Sequence, residues 1–234
     1  LTWNIGNGQM ETKLVEQTTL VDLSKIDIDG RKAAWLGAAP IMAPGLSVSF
    51  RSRTPSIGSL KHVTLGEGSL WAIRSSPVAV EYHAQPTSAA DNDFISLLVQ
   101  MEGSTLISHN QKQAALLEGD IYIIDEHLDF GIVSRDVCGL VVLKLPRRNI
   151  LARLPHLEPR IASVMTGSQP GASILREMIL SLARSAEEMA EDERPPLLTA
   201  VSNILSAALS RSDPRKGKVE GRVASALTYI GFNF

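Results

Sequence analysis

The sequence predicts an α+β chain in which an antiparallel β-sandwich or barrel is followed by helices. Three observations carry that expectation. Between Phe94 and Asp125, short apolar segments are cut by turn-forming residues at near-regular intervals, the pattern of an antiparallel meander. Beyond Pro146 the apolar spacing changes from alternation to recurrences three and four residues apart, the period of an amphipathic helix. The 234 residues are 44% hydrophobic and 21% charged, an ordinary globular composition with enough chain to enclose a sizeable core.

Residues 1–45 carry the weakest pattern. Lys13–Ile28 mixes β-branched and charged residues, Asp27-Ile28-Asp29-Gly30-Arg31 reads as a turn, and Ala38–Pro44, with two prolines, reads as a loop. Leu46–Phe50 alternates apolar and polar as a half-buried strand does, and Lys61–Leu65, Ser69–Ile73 and Val78–His83 look similar. The meander comes next. Phe94–Met101 ends at Glu102-Gly103, Thr105–Ser108 ends at the Asn110-Gln111-Lys112 corner, and Gln113–Leu117 leads through Glu118-Gly119-Asp120 into Ile121–Ile124. Each such strand offers one side to a core, so the sheet must curl or pair to cover it. Phe130–Ser134 and Gly139–Leu145 complete the strands; Pro146 stops the last, and Arg147–Leu154 forms a short helix or turn.

From Pro170 the spacing is helical, with Leu175, Met178, Leu182 and Ala186 on one face. Glu187-Glu188 and Glu191-Asp192-Glu193 place negative charge at the C-terminal end, where the helix dipole opposes it, so fraying is expected there. Pro195-Pro196 opens a second helix, proline being tolerated in a first turn, and its seam is Leu198, Val201, Leu205 and Ala208. Ser212–Gly217 reads as a polar linker. Arg211 to Arg222 holds five basic and two acidic residues, and Val223–Phe234 begins another amphipathic helix.

Several function classes are disfavoured. A net charge of −2 does not suit nucleic-acid binding by bulk electrostatics. No apolar run reaches the length of a membrane span. The single cysteine, Cys138, excludes an internal disulfide and fits a reducing cytoplasm; its apolar strand context raises the thiol pKa and makes it inert. The histidines, His62, His83, His109, His127 and His156, include no pair separated by a single residue, as two metal ligands on one strand face would be. There is no nucleophile elbow, and Gly6-Asn7-Gly8 lacks the strand and helix of a phosphate loop. Neither catalysis nor a metal or other cofactor is expected.

A barrel mouth lined by aromatic and aliphatic side chains with a few polar groups suits a small molecule. The candidates are Trp71, Tyr82, Phe94, Leu98, Gln100, Tyr122 and Phe130, each of which also suits plain core filling. His62 and His83 are polar groups that would orient a ligand. Arg51 and Arg53 flank Phe50 and suit either a carboxylate held by paired hydrogen bonds or a solvated strand edge.

The order strand, glycine, strand, polar turn, leucine, Glu118-Gly119-Asp120, then a strand ending Ile123-Ile124-Asp125 resembles the cupin-type N-terminal effector-binding domain of AraC-family transcription regulators. Glu118 stands where that family usually has proline. Val141–Arg148 resembles the family's last barrel strand and following turn, and Arg222–Phe234 is similar to the opening helix of its DNA-binding domain. The resemblance covers Trp71 to Leu154 best. It implies a cupin-like, jelly-roll type barrel over residues 1–155 and a helical dimerisation region over 156–212. Residues 213–234 would be a linker and the first helix of a DNA-binding domain whose helix-turn-helix units lie outside this sequence. It further implies a bacterial, cytoplasmic homodimer that binds an unidentified small-molecule effector and reaches DNA only through that missing domain. The dimer seam would be Leu175, Met178, Leu182, Leu198, Val201 and Leu205, residues that equally suit packing against the barrel. A metal-dependent cupin enzyme, an isomerase or dioxygenase, is the alternative, and a scaffold with an unused barrel is a third.

Overall fold

The computed structural model describes residues 18–50, 54–84, 93–155, 157 and 160–210. Arg51, Arg53, His156, the Gly6-Asn7-Gly8 segment and everything expected of residues 211–234 lie outside them. Twelve strands are described: β1 (Thr18–Asp22), β2 (Leu46–Phe50), β3 (Gly58–Leu65), β4 (Gly68–Ser75), β5 (Val78–Tyr82), β6 (Phe94–Glu102), β7 (Ser104–His109), β8 (Lys112–Leu117), β9 (Ile121–Asp125), β10 (Phe130–Val133), β11 (Cys138–Pro146) and β12 (Val164–Met165). They form a seven-stranded sheet, β1-β3-β4-β11-β6-β9-β12, facing a five-stranded sheet, β2-β5-β10-β7-β8. Every pairing is antiparallel. The class is α+β, as expected, but the barrel does not close, because each sheet keeps its own two edge strands.

The turns follow residue chemistry. Asn110 and Gln111 have φ of 50° and 59° and form the two-residue link between His109 and Lys112, the doubly left-handed hairpin turn that matches strand twist. Gly103 (φ 70°) and Gly119 (φ 85°) supply the other two positive-φ corners of the meander. In the second of these, Asp120 Oδ2 accepts the Leu117 N–H at 3.2 Å and Oδ1 accepts the Gly167 N–H at 2.9 Å, which ties the turn to the segment leading into the helices.

Strand β11 sits at the centre of the large sheet, and all nine of its residues are buried. Alternate side chains point to opposite faces. Leu140, Val142 and Lys144 face the small sheet; Val141, Leu143 and Leu145 face the helices. A strand covered on both sides reads as a continuous apolar run, which Leu140–Leu145 does apart from Lys144. Helix α3 here denotes Pro170–Ser185 and α4 Arg194–Ser210; α2 is the short helix Arg147–Arg153 and α1 is Arg31–Met42. Leu175, Ile179, Val201 and Leu205 are fully buried, each such side chain worth about 1.5–3 kcal/mol relative to exposure. The two helices approach so closely that a Cβ on Gly171 would lie 2.9 Å from Ala208 Cβ.

Two local expectations change. Most of the expected Ala38–Pro44 loop, as far as Met42, is in fact the end of α1, which carries Pro40 inside it. Proline in a helix interior costs about 3 kcal/mol, and here the helix buries Trp35, Ala38 and Ala39, which offsets that cost. The acidic run does not fray a helix end, because α3 stops at Ser185 before the glutamates. Beyond it, Glu193 accepts the Ala190 N–H at 3.0 Å, and the buried Arg194 donates to the Met189 and Thr64 carbonyls at 2.9 and 3.3 Å. No helix among the described residues is long and apolar enough to cross a membrane.

Candidate functional site

The register of the sheets fixes which side chains meet between them. On the large sheet, Ser69, Lys144, Ser96 and Ile124 form one row across β4, β11, β6 and β9. Beside it runs His62, Trp71, Val142, Leu98 and Tyr122, and beyond that Leu60, Ile73, Leu140 and Gln100. The small sheet contributes Val48, Val80, Ile132 and Ile107 in one row, then Leu46, Tyr82, Phe130 and His109 in the next. Between these faces lies a cavity of about 90 Å³, walled by Leu98, Ile124, Leu140, Val142, Val80 and Phe130 among others. Trp35, Ala39, Met42 and Ala43, from α1 and its C-cap, complete the wall.

One polar cluster interrupts this apolar surface. Lys144 and Glu126 have side chains only 7% and 4% exposed, with Nζ 3.0 Å from Oε2. Lys144 Nζ also donates to the Met42 carbonyl at 2.9 Å and lies 5.6 Å from the Phe94 ring centroid. Ser96 Oγ donates to the second oxygen of Glu126. Tyr82 Oη donates to the Glu126 carbonyl at 3.0 Å, and its ring stacks on Phe130 at 4.7 Å. The result fastens three distant parts of the chain, the end of α1, the β9–β10 connection and the central strand, to one another.

Burial sets the protonation of the surrounding groups by disfavouring charged forms. It pushes the Tyr82 phenol up to about 12 and raises that of Tyr122 as well, whose hydroxyl has no hydrogen-bond partner among the described residues. Burial holds the His62 imidazole below its ordinary value, with the Lys144 cation adding to the effect. His109 is lowered by burial too, with one ring nitrogen 3.2 Å from the Asp125 carbonyl and Nδ1 without a partner among the described residues. The Cys138 thiol is raised by burial, which keeps it protonated. Among the described residues, no three His, Cys, Asp or Glu side chains come together as a metal-holding group.

The side chains expected to line a pocket divide accordingly. Leu98 and Phe130 form the cavity wall. Phe94 flanks the Lys144 ammonium, and Tyr82 buttresses the loop that carries Glu126. Trp71, Tyr122 and His62 share the row of Leu98 but lie beyond the wall, His62 stacked on Trp71 at 4.2 Å. Gln100 is fully buried and holds the β6–β7 hairpin, accepting from Thr105 Oγ1 at 2.9 Å and donating to the Glu102 carbonyl at 2.7 Å. His83 is on the surface, 3.4 Å from Asp129. Of the seam residues, Leu175, Leu182, Val201 and Leu205 are buried within this chain's own core, while Met178 and Leu198 are half-buried against it. Sequence reasoning missed Lys144, Glu126, Trp35 and Met42. For Lys144 a signal existed: it has the same strand parity as Leu140 and Val142, so an inward-facing strand position carries a charge.

The chain matches the model of the AraC-binding-like domain over residues 41–210. Among solved structures it is similar to the AraC-like transcriptional activator CuxR, at 15% identity and a TM-score of 0.67, with 94% of this chain and 78% of that chain covered. At that identity the likeness is one of fold. It is also similar to a cupin superfamily protein from Desulfitobacterium hafniense (11% identity, TM-score 0.33, 42% of this chain and 83% of that chain). A third similar structure is the Clostridium difficile EutQ protein (8% identity, TM-score 0.31, 38% and 63%). These last two scores are too low to carry an argument. No curated protein matches the sequence.

Proposed function

We propose that this chain, which belongs to the AraC-binding-like domain family, is the effector-sensing part of a transcription regulator. A small molecule binds between the two sheets and thereby controls a DNA-binding domain attached to this one. The observation that carries the proposal is the cavity itself, an apolar space with a single convergent polar cluster, the composition of a small-molecule site. Its occupant would touch α1 and the central strand together, and a ligand shifts an equilibrium by its differential affinity for two arrangements. The likeness in fold to a transcriptional activator supports the same assignment.

Screening small metabolites by thermal shift tests this, with every hit retested on Leu98→Phe and Val142→Phe, which fill the cavity from adjacent strands. Hits abolished by either filling variant are expected. A screen whose hits survive both substitutions, or one without hits, would refute the assignment. Dimerisation through α3 and α4 belongs to the same proposal, but it would have to use Met178, Leu198 and the 59% exposed Ile174 rather than the four buried seam residues. Sedimentation equilibrium of the parent against Ile174→Glu tests it: the parent should be dimeric and the variant shifted to monomer, whereas a monomeric parent overturns it.

A further inference from the structure

The charge balance of the cavity restricts what can occupy it. Among the described residues its wall carries two charged side chains, Lys144 and Glu126, and they face each other. The remaining polar wall groups are committed or neutral. Ser75 Oγ donates to the Ser76 carbonyl at 2.9 Å, Ser96 Oγ donates to Glu126, and Cys138 is a protonated thiol. The titratable groups just behind the wall add no free charge: His62 is held toward its neutral form, Tyr82 stays a phenol, and Asp125 is paired with Arg147 at 3.2 Å. Both oxygens of Glu126 already accept a hydrogen bond. The Lys144 ammonium has three donors, of which two are used among the described residues, by Glu126 and by the Met42 carbonyl.

An anion entering this space would bring a second negative charge to a cation that already has its counter-ion. In largely apolar surroundings an uncompensated charge is disfavoured. An uncharged oxygen acceptor meets no such penalty and satisfies the remaining ammonium donor. We propose that the cavity selects an uncharged, largely apolar small molecule bearing a carbonyl or hydroxyl oxygen that accepts from Lys144, and that Glu126 is the residue that rejects carboxylates. This inference rests on the cavity being the binding site proposed above. The part of the ligand held between the sheets must also be compact, since the space of about 90 Å³ is smaller than the roughly 150 Å³ of an apolar cavity known to hold benzene.

Three probes of nearly the same size separate the possibilities: 2-butanone, propionamide and propionate, titrated into the chain with Ile, Leu and Val methyl groups followed by NMR. The expected result is that the two uncharged probes shift the methyls of Leu98, Ile124 and Val142 with at least tenfold tighter dissociation constants than propionate. Glu126→Gln should reverse that order, because Lys144 then offers an unpaired cation. Tighter binding of propionate to the parent chain, or an unchanged preference in a folded Glu126→Gln variant, overturns the inference. If that variant does not fold, the comparison of propionamide with propionate in the parent decides alone. Failure of all three probes to move the cavity methyls at tens of millimolar would instead remove the cavity as the binding site.

Discussion

Replacing Lys144 by methionine should destabilise the chain by about 3–5 kcal/mol, the range for stranding one member of a buried ion pair. The structure supports the full range rather than its surface counterpart of about 0–1 kcal/mol, since the partners are 7% and 4% exposed. Methionine retains the length and apolar stem of lysine, so little of the loss would come from packing. Two groups lose a donor: the Glu126 carboxylate, left with Ser96 alone, and the Met42 carbonyl, an acceptor worth about 1–3 kcal/mol when left buried and unsatisfied. Adding Glu126→Leu should recover most of the deficit, because buried pairs replaced by apolar residues are often neutral or better. Urea unfolding of the parent, the single variant and the double variant at neutral pH measures this. A single variant within about 0.5 kcal/mol of the parent, the usual scatter for surface sites, would show that the pair is solvated, and the apolar cavity beside it would fall with it.

Gly171→Ala places a methyl 2.8 Å from Ala208 Cα and should cost about 1–3 kcal/mol by overpacking, read as a fall of several degrees in Tm. Asp120→Ala strands the Leu117 and Gly167 N–H groups and should cost about 2–4 kcal/mol by the same measurement. Because burial lowers His62 and His109, the unfolded chain binds protons that the folded chain refuses. Their contribution is complete above the ordinary value of 6.5 and is lost as the pH falls below it, so His109→Gln should flatten the decline of the urea midpoint on the acid side. On the alkaline side Tyr82, at about 12, and Tyr122 should remain un-ionised where exposed phenols have titrated. Absorbance titration should therefore show late phenolate formation that Tyr82→Phe reduces, and stability should fall once the pH exceeds about 10, the unfolded phenol value.

The meander is legible because its corners demand positive φ, and Asn110, Gly103 and Gly119 are residue types that accept it. The core strand is legible because Leu140–Leu145 is buried on both faces and cannot alternate. Helix α1 is hidden in the sequence by Pro40 and by a run of alanine and glycine with little periodic contrast; the burial of Trp35, Ala38 and Ala39 reveals its inner face. Spacing puts Leu175, Met178, Leu182, Leu198, Val201 and Leu205 on apolar helix faces, and the structure buries four of them and half-buries Met178 and Leu198. It does not say what the seam touches, since a sheet and a second subunit offer the same apolar chemistry. Which of the pocket candidates border the cavity is hidden from the sequence for a related reason. Trp71, Leu98 and Tyr122 have identical strand parity and lie in one row, yet Leu98 borders the space and the other two do not. That distinction depends on how the two sheets and α1 stack, which no single strand encodes.

Why a charge pair persists in this core is then a question of position more than of stability. A buried ion pair holds two groups out of water at a cost that apolar residues of equal volume would avoid. What apolar residues cannot reproduce is the simultaneous tie of residue 144 to residues 42 and 126. Lys144 lies on the middle strand of the large sheet, Met42 ends the helix that walls the cavity, and Glu126 sits just past the strand bearing Ile124, itself on the cavity wall. Hydrogen bonds to an ammonium are directional and few, so the helix end and the loop are held at a set distance from the strand rather than packed loosely against it. The consequence is a cavity wall whose two charged side chains, among the described residues, neutralise each other and fix the helix end and the loop against the central strand.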